Sequence, residues 1–528
     1  MMFKLQSRGI VQWPSLAWIA VCRRSDPTIE IFHGLGVEIA PDWYCEAVWA
    51  GPFDEGDFDK SDLVFGSGGR IRTGSIVFVS SGTTLDRLHS IEREDSVLVS
   101  NSLPCLLWFC PARLDQNYTQ YFQDFDTLAD GFERYKPSLA TSAGSVRLTY
   151  FHNLLWDGNK LAVIKKELHP RDFGNFPKYR QFMDHSLQKI AGNMSAAGRQ
   201  KRFSMIGTMS SGYDSACAAA LAQPHGLKEV FSFKTARGGE DDSGTRVADA
   251  LGLKLLLIGR DAWRDHTLPE VPFLATQASG GDVFFRGAED RLSRRVLITG
   301  FHGGKVWGTT PWEGANEMSR GDTSGTGLSE YRLSIGFIHV PLPFFGATQS
   351  ADIVRISQAQ EMDPWRLSNW YDRPICRRIL EEAGVPRDAF GMTKKAVSII
   401  FWQNGDFLTR QSRRDCLSYL RANGLQVRTP GSTLADILAF LFRHLGRFVL
   451  RVLPERIRRR RIVAIRARAS KLVLLGTGSD PLARSKRMPL TTNDRMFSHV
   501  FPWAIHKAVQ LYAQAPEFTT LGHPPTNQ

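Results

Sequence analysis

Cysteine is scarce in this sequence and never closely paired. Seven occur in 528 residues, at positions 22, 45, 105, 110, 217, 376 and 416, and none stands in a CxxC motif. An odd number at such spacing argues against a disulfide framework or a zinc knuckle and predicts free thiols. Long apolar runs are also missing, since no segment reaches the ~18 uninterrupted apolar residues of a membrane span. One apolar stretch, Trp13 to Cys22, runs into Arg23-Arg24 without the small-residue pattern of a signal-peptide cleavage site, so a cytoplasmic protein is expected. Positive charge is not spread along the chain either. Of the net +13, the stretch Arg443 to Lys471 supplies most, with ten Arg and one Lys against Glu455 alone, which leaves about +3 elsewhere. So mild a remainder does not make nucleic-acid binding the default. No internal repeat is present.

What is there is an ordinary globular composition, 42% hydrophobic and 23% charged, in a chain long enough for roughly two to four domains. Residues 1–170 read as a β-rich domain, with strands predicted at SLAWIAVC, TIEIF, GSIVFVSS, SVLVSNS and LLWFC. A hairpin-like pair, LTYFHNLLW and KLAVIKKEL, flanks the turn signal Asp157-Gly158-Asn159. From about residue 171 the pattern changes to helix, with Phe182, Ile190 and Met194 on one face.

The stretch that organises the rest is Phe203 to Gly226, FSMIGTMSSGYDSACAAALAQPHG. An apolar strand ending near Met205 and Ile206 runs into the small-residue turn Ser210-Ser211-Gly212, and Ser215 to Ala222 restart as an Ala- and Leu-rich helix. Such a loop turns consecutive backbone N–H groups inward, and the helix adds its positive N-terminus, so a polyphosphate meets donors already aimed at it. Ser210 and Ser215 can add hydroxyl donors, and Asp214 can hold a divalent cation such as Mg2+ bridging phosphate oxygens.

Ser210-Ser211-Gly212-Tyr213-Asp214-Ser215 resembles the Ser-Gly-Gly-x-Asp-Ser loop of the PP-loop ATP pyrophosphatases, which split ATP into AMP and pyrophosphate, with Ser211 standing where the first Gly is usual. Further segments are similar to the asparagine-synthetase branch of that superfamily. Lys228 to Thr235 would be the second parallel strand, whose carbonyl end near Phe233 implies an adenine site, followed by the acidic turn Glu240-Asp241-Asp242. Val296 to Gly308, VLITGFHGGKVWG, resembles the Gly-x-Gly-x-Asp-Glu turn lying against pyrophosphate. Gly300, Gly303 and Gly308 fit it, but His302 replaces a Gly, and Gly304-Lys305 replace the Asp-Glu whose Asp ligates magnesium in relatives. Asp282, Glu313 and Asp322 are the alternatives for that metal role, while His302 and Lys305 could offer positive charge or hydrogen bonds to phosphate. In Tyr371 to Ser398, YDRPICRRILEEAGVPRDAFGMTKKAVS, the resemblance implies a catalytic lysine, Lys394 or Lys395, that neutralises charge on the α-phosphate. Residues 330–346, apolar and aromatic, are read as a core strand or as the lining of an acceptor pocket.

The expected fold is therefore α/β, a parallel-sheet PP-loop (HUP-like) domain at 171–430 between the β-rich domain 1–170 and a basic helical region 431–528. The resemblance implies adenylation of a substrate carboxylate by ATP with Mg2+, then transfer of the acyl group to an amine to form an amide. The nucleotide would be bound by Ser210, Ser211, Gly212, Asp214, Ser215, Phe233, Gly300, His302 and Gly303. In those synthetases a β-rich glutaminase domain comes first, with a processed N-terminal cysteine as nucleophile. Met1-Met2-Phe3 occupies that place here, and Cys22, inside an apparent strand, is expected to be a core residue, so no glutamine hydrolysis is expected. In the last region Leu434 to Val452 form an apolar helical face with Arg443, Arg447 and Arg451 as a stripe. That stripe suits an anionic membrane surface, docking on the protein itself, or an acidic partner. The competing reading is a non-catalytic nucleotide-binding or scaffold protein that docks through this basic helix.

Overall fold

The computed structural model describes residues 2–367, 369–399, 408–425 and 496–513. The first part of the chain builds two sheets that face each other. In the seven-stranded sheet the order is Lys4–Ile10, Thr28–Gly34, Trp18–Arg23, Ser96–Ser100, Arg87–Glu92, Gly144–Tyr150 and Ser138–Thr141. Only the first pair is parallel. The six-stranded sheet is antiparallel throughout, in the order Leu161–Ile164, Asn153–Trp156, Ser75–Val79, Val64–Arg72, Trp43–Trp49 and Glu38–Ile39.

Alternation along one strand shows how the layers are made, because successive side chains leave a strand on opposite faces. Trp18, Ala20 and Cys22 face the second sheet and pack with Tyr44, Phe78 and Trp156, whereas Ile19 and Val21 face the opposite way, into a core shared with helices. The Trp18 ring lies edge-on to Tyr44 at 5.1 Å and its Nε1 donates to Ser67 Oγ at 3.0 Å. All seven cysteines are free and buried. Cys22 is a core residue between the sheets, its thiol held protonated by burial.

Two local expectations are corrected. LLWFC is not a strand: it belongs to the helix Leu103–Phe109, where Ser102 Oγ accepts from Cys105 N at 3.2 Å and Pro104 sits in the first turn. A serine cap followed by an early proline starts a helix irrespective of how apolar the run is. LTYFHNLLW is two strands, not one. The chain breaks at Phe151, whose φ is +60°, and crosses from Gly144–Tyr150 in one sheet to Asn153–Trp156 in the other. Its pairing with Leu161–Ile164 across the Asp157 turn is antiparallel, Trp156 opposite Leu161.

The helix Phe176–Met194, capped by Asn175, leads into a third, five-stranded sheet that is parallel throughout. Its order is Lys254–Ile258, Glu229–Phe233, Ser204–Thr208, Arg295–Thr299 and Ile338–Pro341. The chain starts in the middle, winds outward to one edge, then returns to the other side of its first strand. Ser204–Thr208 and Arg295–Thr299 thus flank a point where winding reverses, and in open parallel sheets ligands bind just beyond the strand carboxyl ends at such a point. Residues 330–346 form most of the helix Ser329–Ile335, the edge strand Ile338–Pro341 and a short turn of 3-10 helix.

Sandwich and parallel sheet are tied by charge buried between them. The Arg332 guanidinium, 2% exposed, donates to Glu46 Oε2 at 2.6 Å and to both Asp86 oxygens at 3.0 Å. Glu330 accepts from Ser102 Oγ at 2.8 Å and Leu103 N at 3.2 Å, and the Tyr512 hydroxyl donates to Ser102 Oγ at 2.9 Å. Tyr512 belongs to the helix Val500–Ala513, which packs on Leu103–Phe109 and on the helix Val271–Gln277. The apolar face Leu434–Val452 and the basic run Arg443–Lys471 lie outside the described residues. No described helix is long and apolar enough to cross a membrane.

Candidate functional site

At the reversal point the loop after Ser204–Thr208 feeds the helix Tyr213–Ala222. Gly212 is its extended N-cap (φ −79°, ψ −180°) and no side chain caps it, which leaves the first-turn N–H groups open to an anion. Ser210 Oγ lies 2.6 Å from Ser215 Oγ and accepts from Gly212 N at 3.1 Å, so two hydroxyls close the loop into a ring. Ser211 turns the other way, where its hydroxyl donates to Asp242 Oδ1 at 2.7 Å and its N–H to the same oxygen at 3.2 Å. A glycine would lose the first of these anchors. Lys395 Nζ locks the arrangement by donating to Ser211 Oγ at 3.0 Å and to Asp241 O at 2.6 Å. Tyr213 is buried beneath the loop, its hydroxyl accepting from Arg377 at 2.5 Å.

The turn after Arg295–Thr299 presses against this helix start. A Cβ on Gly300 would stand 2.2 Å from the Asp214 carbonyl carbon, and one on Gly303 would stand 2.7 Å from Asp214 Cγ. Only glycine at both positions lets the turn and the loop approach so closely. Between them opens a cavity of about 530 Å³ lined by Ser210, Gly212, Asp214, Ser215, Gly300, His302, Lys394 and Lys395 among others. Eight sequence-predicted residues therefore meet in one place. Gly303 lies behind Asp214 instead of lining the cavity, and Ser211 is part of the scaffold. Phe233 is in the core, its ring 5.0 Å from Phe284, which does line the cavity.

The electrostatics are lopsided, with six basic side chains and four carboxylates facing the space. Asp214 is deep in the cavity, yet 27% of its side chain remains accessible, and its Oδ1 has no hydrogen-bond partner. Loss of solvent raises its pKa, with Arg373 and Lys394 opposing the shift. Arg373 Nε is 3.8 Å from that oxygen and also lacks a hydrogen bond. Lys305 lies over the Trp312 ring, and loss of solvent, opposed by Asp322, brings its ammonium down to about 8. His302, in the left-handed region at φ +76°, stacks on Phe344 at 4.9 Å. Desolvation, then the charges of Arg320 and Lys305, push its pKa well below the ordinary range, so it is neutral and the cation in this turn is Lys305.

Of the three alternative acids, Asp282 and Asp322 line the cavity and Glu313 does not. Asp282 is committed to holding a loop, accepting from Gly325 N at 3.0 Å and Gly327 N at 3.1 Å, and burial raises its pKa to about 6. Among the described residues no group of three or more His, Cys, Asp or Glu is arranged to hold a metal ion. The Asp214 carboxylate, its side chain still 27% accessible although Oδ1 is buried without a partner, suits one ligand of a magnesium ion whose other ligands are water and phosphate. Three contributors were missed in the sequence: Arg320 and Trp312 carry no local signal, whereas Arg373 could have been found as the arginine directly preceding the helix Pro374–Glu382. No protein-family model matches the chain, and no curated protein shows significant similarity to it.

Proposed function

We propose that the chain is an asparagine-synthetase-like ligase of the PP-loop ATP pyrophosphatase superfamily, which adenylates a carboxylate and passes the acyl group to an amine. The observation that carries this reading is the uncapped helix start at Gly212, ringed by Ser210 and Ser215, with the unpartnered Asp214 oxygen beside it in a basic cavity. ATP is a substrate here, its phosphates received by the first-turn N–H groups and the two hydroxyls. Magnesium held at Asp214 would offset phosphate charge.

A substrate carboxylate oxygen attacks the α-phosphorus, the bond to the bridging oxygen breaks, and pyrophosphate leaves with the electron pair. The amine nitrogen then attacks the acyl carbon, loses a proton, and AMP departs. The protein contributes position and charge. Of the two predicted lysines, Lys394 is exposed at the cavity and makes no hydrogen bond among the described residues, which suits it to meet the α-phosphate. Lys395 is spent on holding Ser211 and Asp241.

Product analysis tests the reading. Incubation with ATP, magnesium and a panel of carboxylates and amines is expected to yield AMP and pyrophosphate in equal amounts with an amide. ADP and phosphate as products would refute it. ATP bound without turnover under every combination would favour the non-catalytic nucleotide-binding alternative, for which Gly304-Lys305 in place of Asp-Glu is the motive.

A further inference from the structure

One stretch of the cavity wall is held from outside the parallel sheet. Residues 312–324 contribute Trp312, Arg320, Gly321, Asp322 and Ser324 to the cavity, and they reach it by an irregular path. Gly314 (φ +67°) and Met318 (φ +55°) both lie in the left-handed region. For a methionine that conformation is costly and persists only where the surroundings impose it. Met318 is 1% exposed and shares its core with Phe132 of the β-rich region.

The constraint comes from the loop that follows the 3-10 turn Thr127–Asp130. Arg320 N donates to Ala129 O at 2.8 Å and Phe132 N donates to Glu317 O at 3.0 Å, an antiparallel pairing of the two segments. Between these bonds Gly131, at φ +108°, passes so close that a Cβ there would stand 2.9 Å from Glu317 O. Arg134 Nε donates to Glu317 Oε2 at 3.0 Å, and its Nη1 lies 3.8 Å from Glu313 Oε1. A Cβ on Gly314 would stand 2.9 Å from Arg134 Nη2, so the wall turns tightly beneath that guanidinium. The Arg134 and Glu317 side chains are 47% and 38% exposed, so their ion pair adds direction more than energy. On the other flank, Ser350 Oγ donates to Ala315 O at 2.7 Å and Ala351 N to Asn316 Oδ1 at 3.2 Å.

We propose that the loop Ala129–Arg134 of the β-rich region is a positioning element for the cavity. It fixes the wall segment 312–324, and Gly131 and Arg134 act on whatever the cavity binds only through that wall. The consequence for catalysis rests on the ligase reading above; the ordering of the wall does not. A region expected to hydrolyse no glutamine thus serves the reaction by shaping the pocket.

A nitroxide label on the full chain reads the wall directly. All seven native thiols are buried, so a cysteine introduced by Thr323→Cys is the accessible one. Gly131→Ala and, to a smaller extent, Arg134→Met are expected to shift the label's paramagnetic resonance spectrum toward faster motion. In the same proteins, affinity for a non-hydrolysable ATP analogue should fall about tenfold with Gly131→Ala and about threefold with Arg134→Met. The charge swap Arg134→Glu with Glu317→Arg should restore both readings, which simple loss of folding would not allow. A lowered melting temperature with spectrum and affinity unchanged would make the contact merely structural and overturn the proposal. So would a looser label with unaltered affinity. Responses of label and affinity in a protein that makes no AMP would sink the ligase reading and leave the positioning role standing. AMP formation with neither reading moved by the variants would do the reverse.

Discussion

Replacing Gly300 by Ala should separate the two halves of the proposed nucleotide site. The added methyl would lie 2.2 Å from the Asp214 carbonyl carbon, 2.3 Å from its oxygen and 2.6 Å from Ser215 N. All three are backbone atoms of the helix's first turn, so no side-chain rotation relieves the clash. Carbon atoms reach ordinary contact near 3.5 Å, so turn and loop must move apart by about 1 Å. Misplacement on that scale costs roughly a hundredfold in rate, equivalent to ~2.7 kcal/mol of barrier, and overpacking removes about 1–3 kcal/mol of stability. Gly303→Ala is the companion, because its methyl meets the Asp214 side chain, 2.7 Å from Cγ and 2.8 Å from Oδ1. It should swing that carboxylate and weaken magnesium dependence while disturbing the loop less. Initial rates of AMP formation, ATP affinity and thermal unfolding, measured side by side, separate folding from positioning. A folded Gly300→Ala protein with unaltered ATP affinity and rate would refute the close approach on which the site depends.

Three further outcomes are expected. Arg332→Leu strands Glu46 and Asp86 without their counter-charge, so urea unfolding should show a loss of about 3–5 kcal/mol; a loss below about 1 kcal/mol would mean that this link does not hold the layers together. Glu330 is pushed up from 4.5 to about 7 by burial, an effect the Ser102 hydroxyl and Arg87 partly oppose. Its folded value exceeds the unfolded one, so its contribution is complete below the unfolded value and fades as pH rises through about 7, by roughly 1–3 kcal/mol in all. Glu330→Gln should flatten the pH dependence of unfolding in that window, and an unchanged slope would show that another group sets it. Because all seven thiols are buried, purified protein should release no glutamate from glutamine, and detectable release would identify a nucleophile not considered above.

The strand-turn-helix at Ser204–Ala222 was legible because its signal is local: an apolar strand, three small residues and an alanine-rich helix follow one another, and the uncapped N-terminus comes directly from Gly212 in that order. The parallel alternation of strands and helices was legible for the same reason. Ser211 shows where local reading stops, since its fitness for a glycine position depends on Asp242, thirty-one residues on, which supplies the acceptor. The cationic wall was hidden more completely. Arg320 looks like any surface arginine in sequence, and only the folding of residues 320–327 around Asp282 buries it beside the cavity. LLWFC was misread because its apolar run outweighed the Ser102 cap and Pro104, and LTYFHNLLW because nothing in its composition marks the positive φ at Phe151 that sends the chain between sheets.

In the proposed reaction Asp214 and its loop activate a carboxylate with ATP. The most direct measurement is carboxylate-dependent exchange of labelled pyrophosphate into ATP, with wild type beside Asp214→Ala. Exchange is predicted with at least one carboxylate, and a drop of about a hundredfold in the variant, the scale of losing an electrostatic partner in the transition state. No exchange with any carboxylate, together with ATP binding that survives Asp214→Ala, would contradict it.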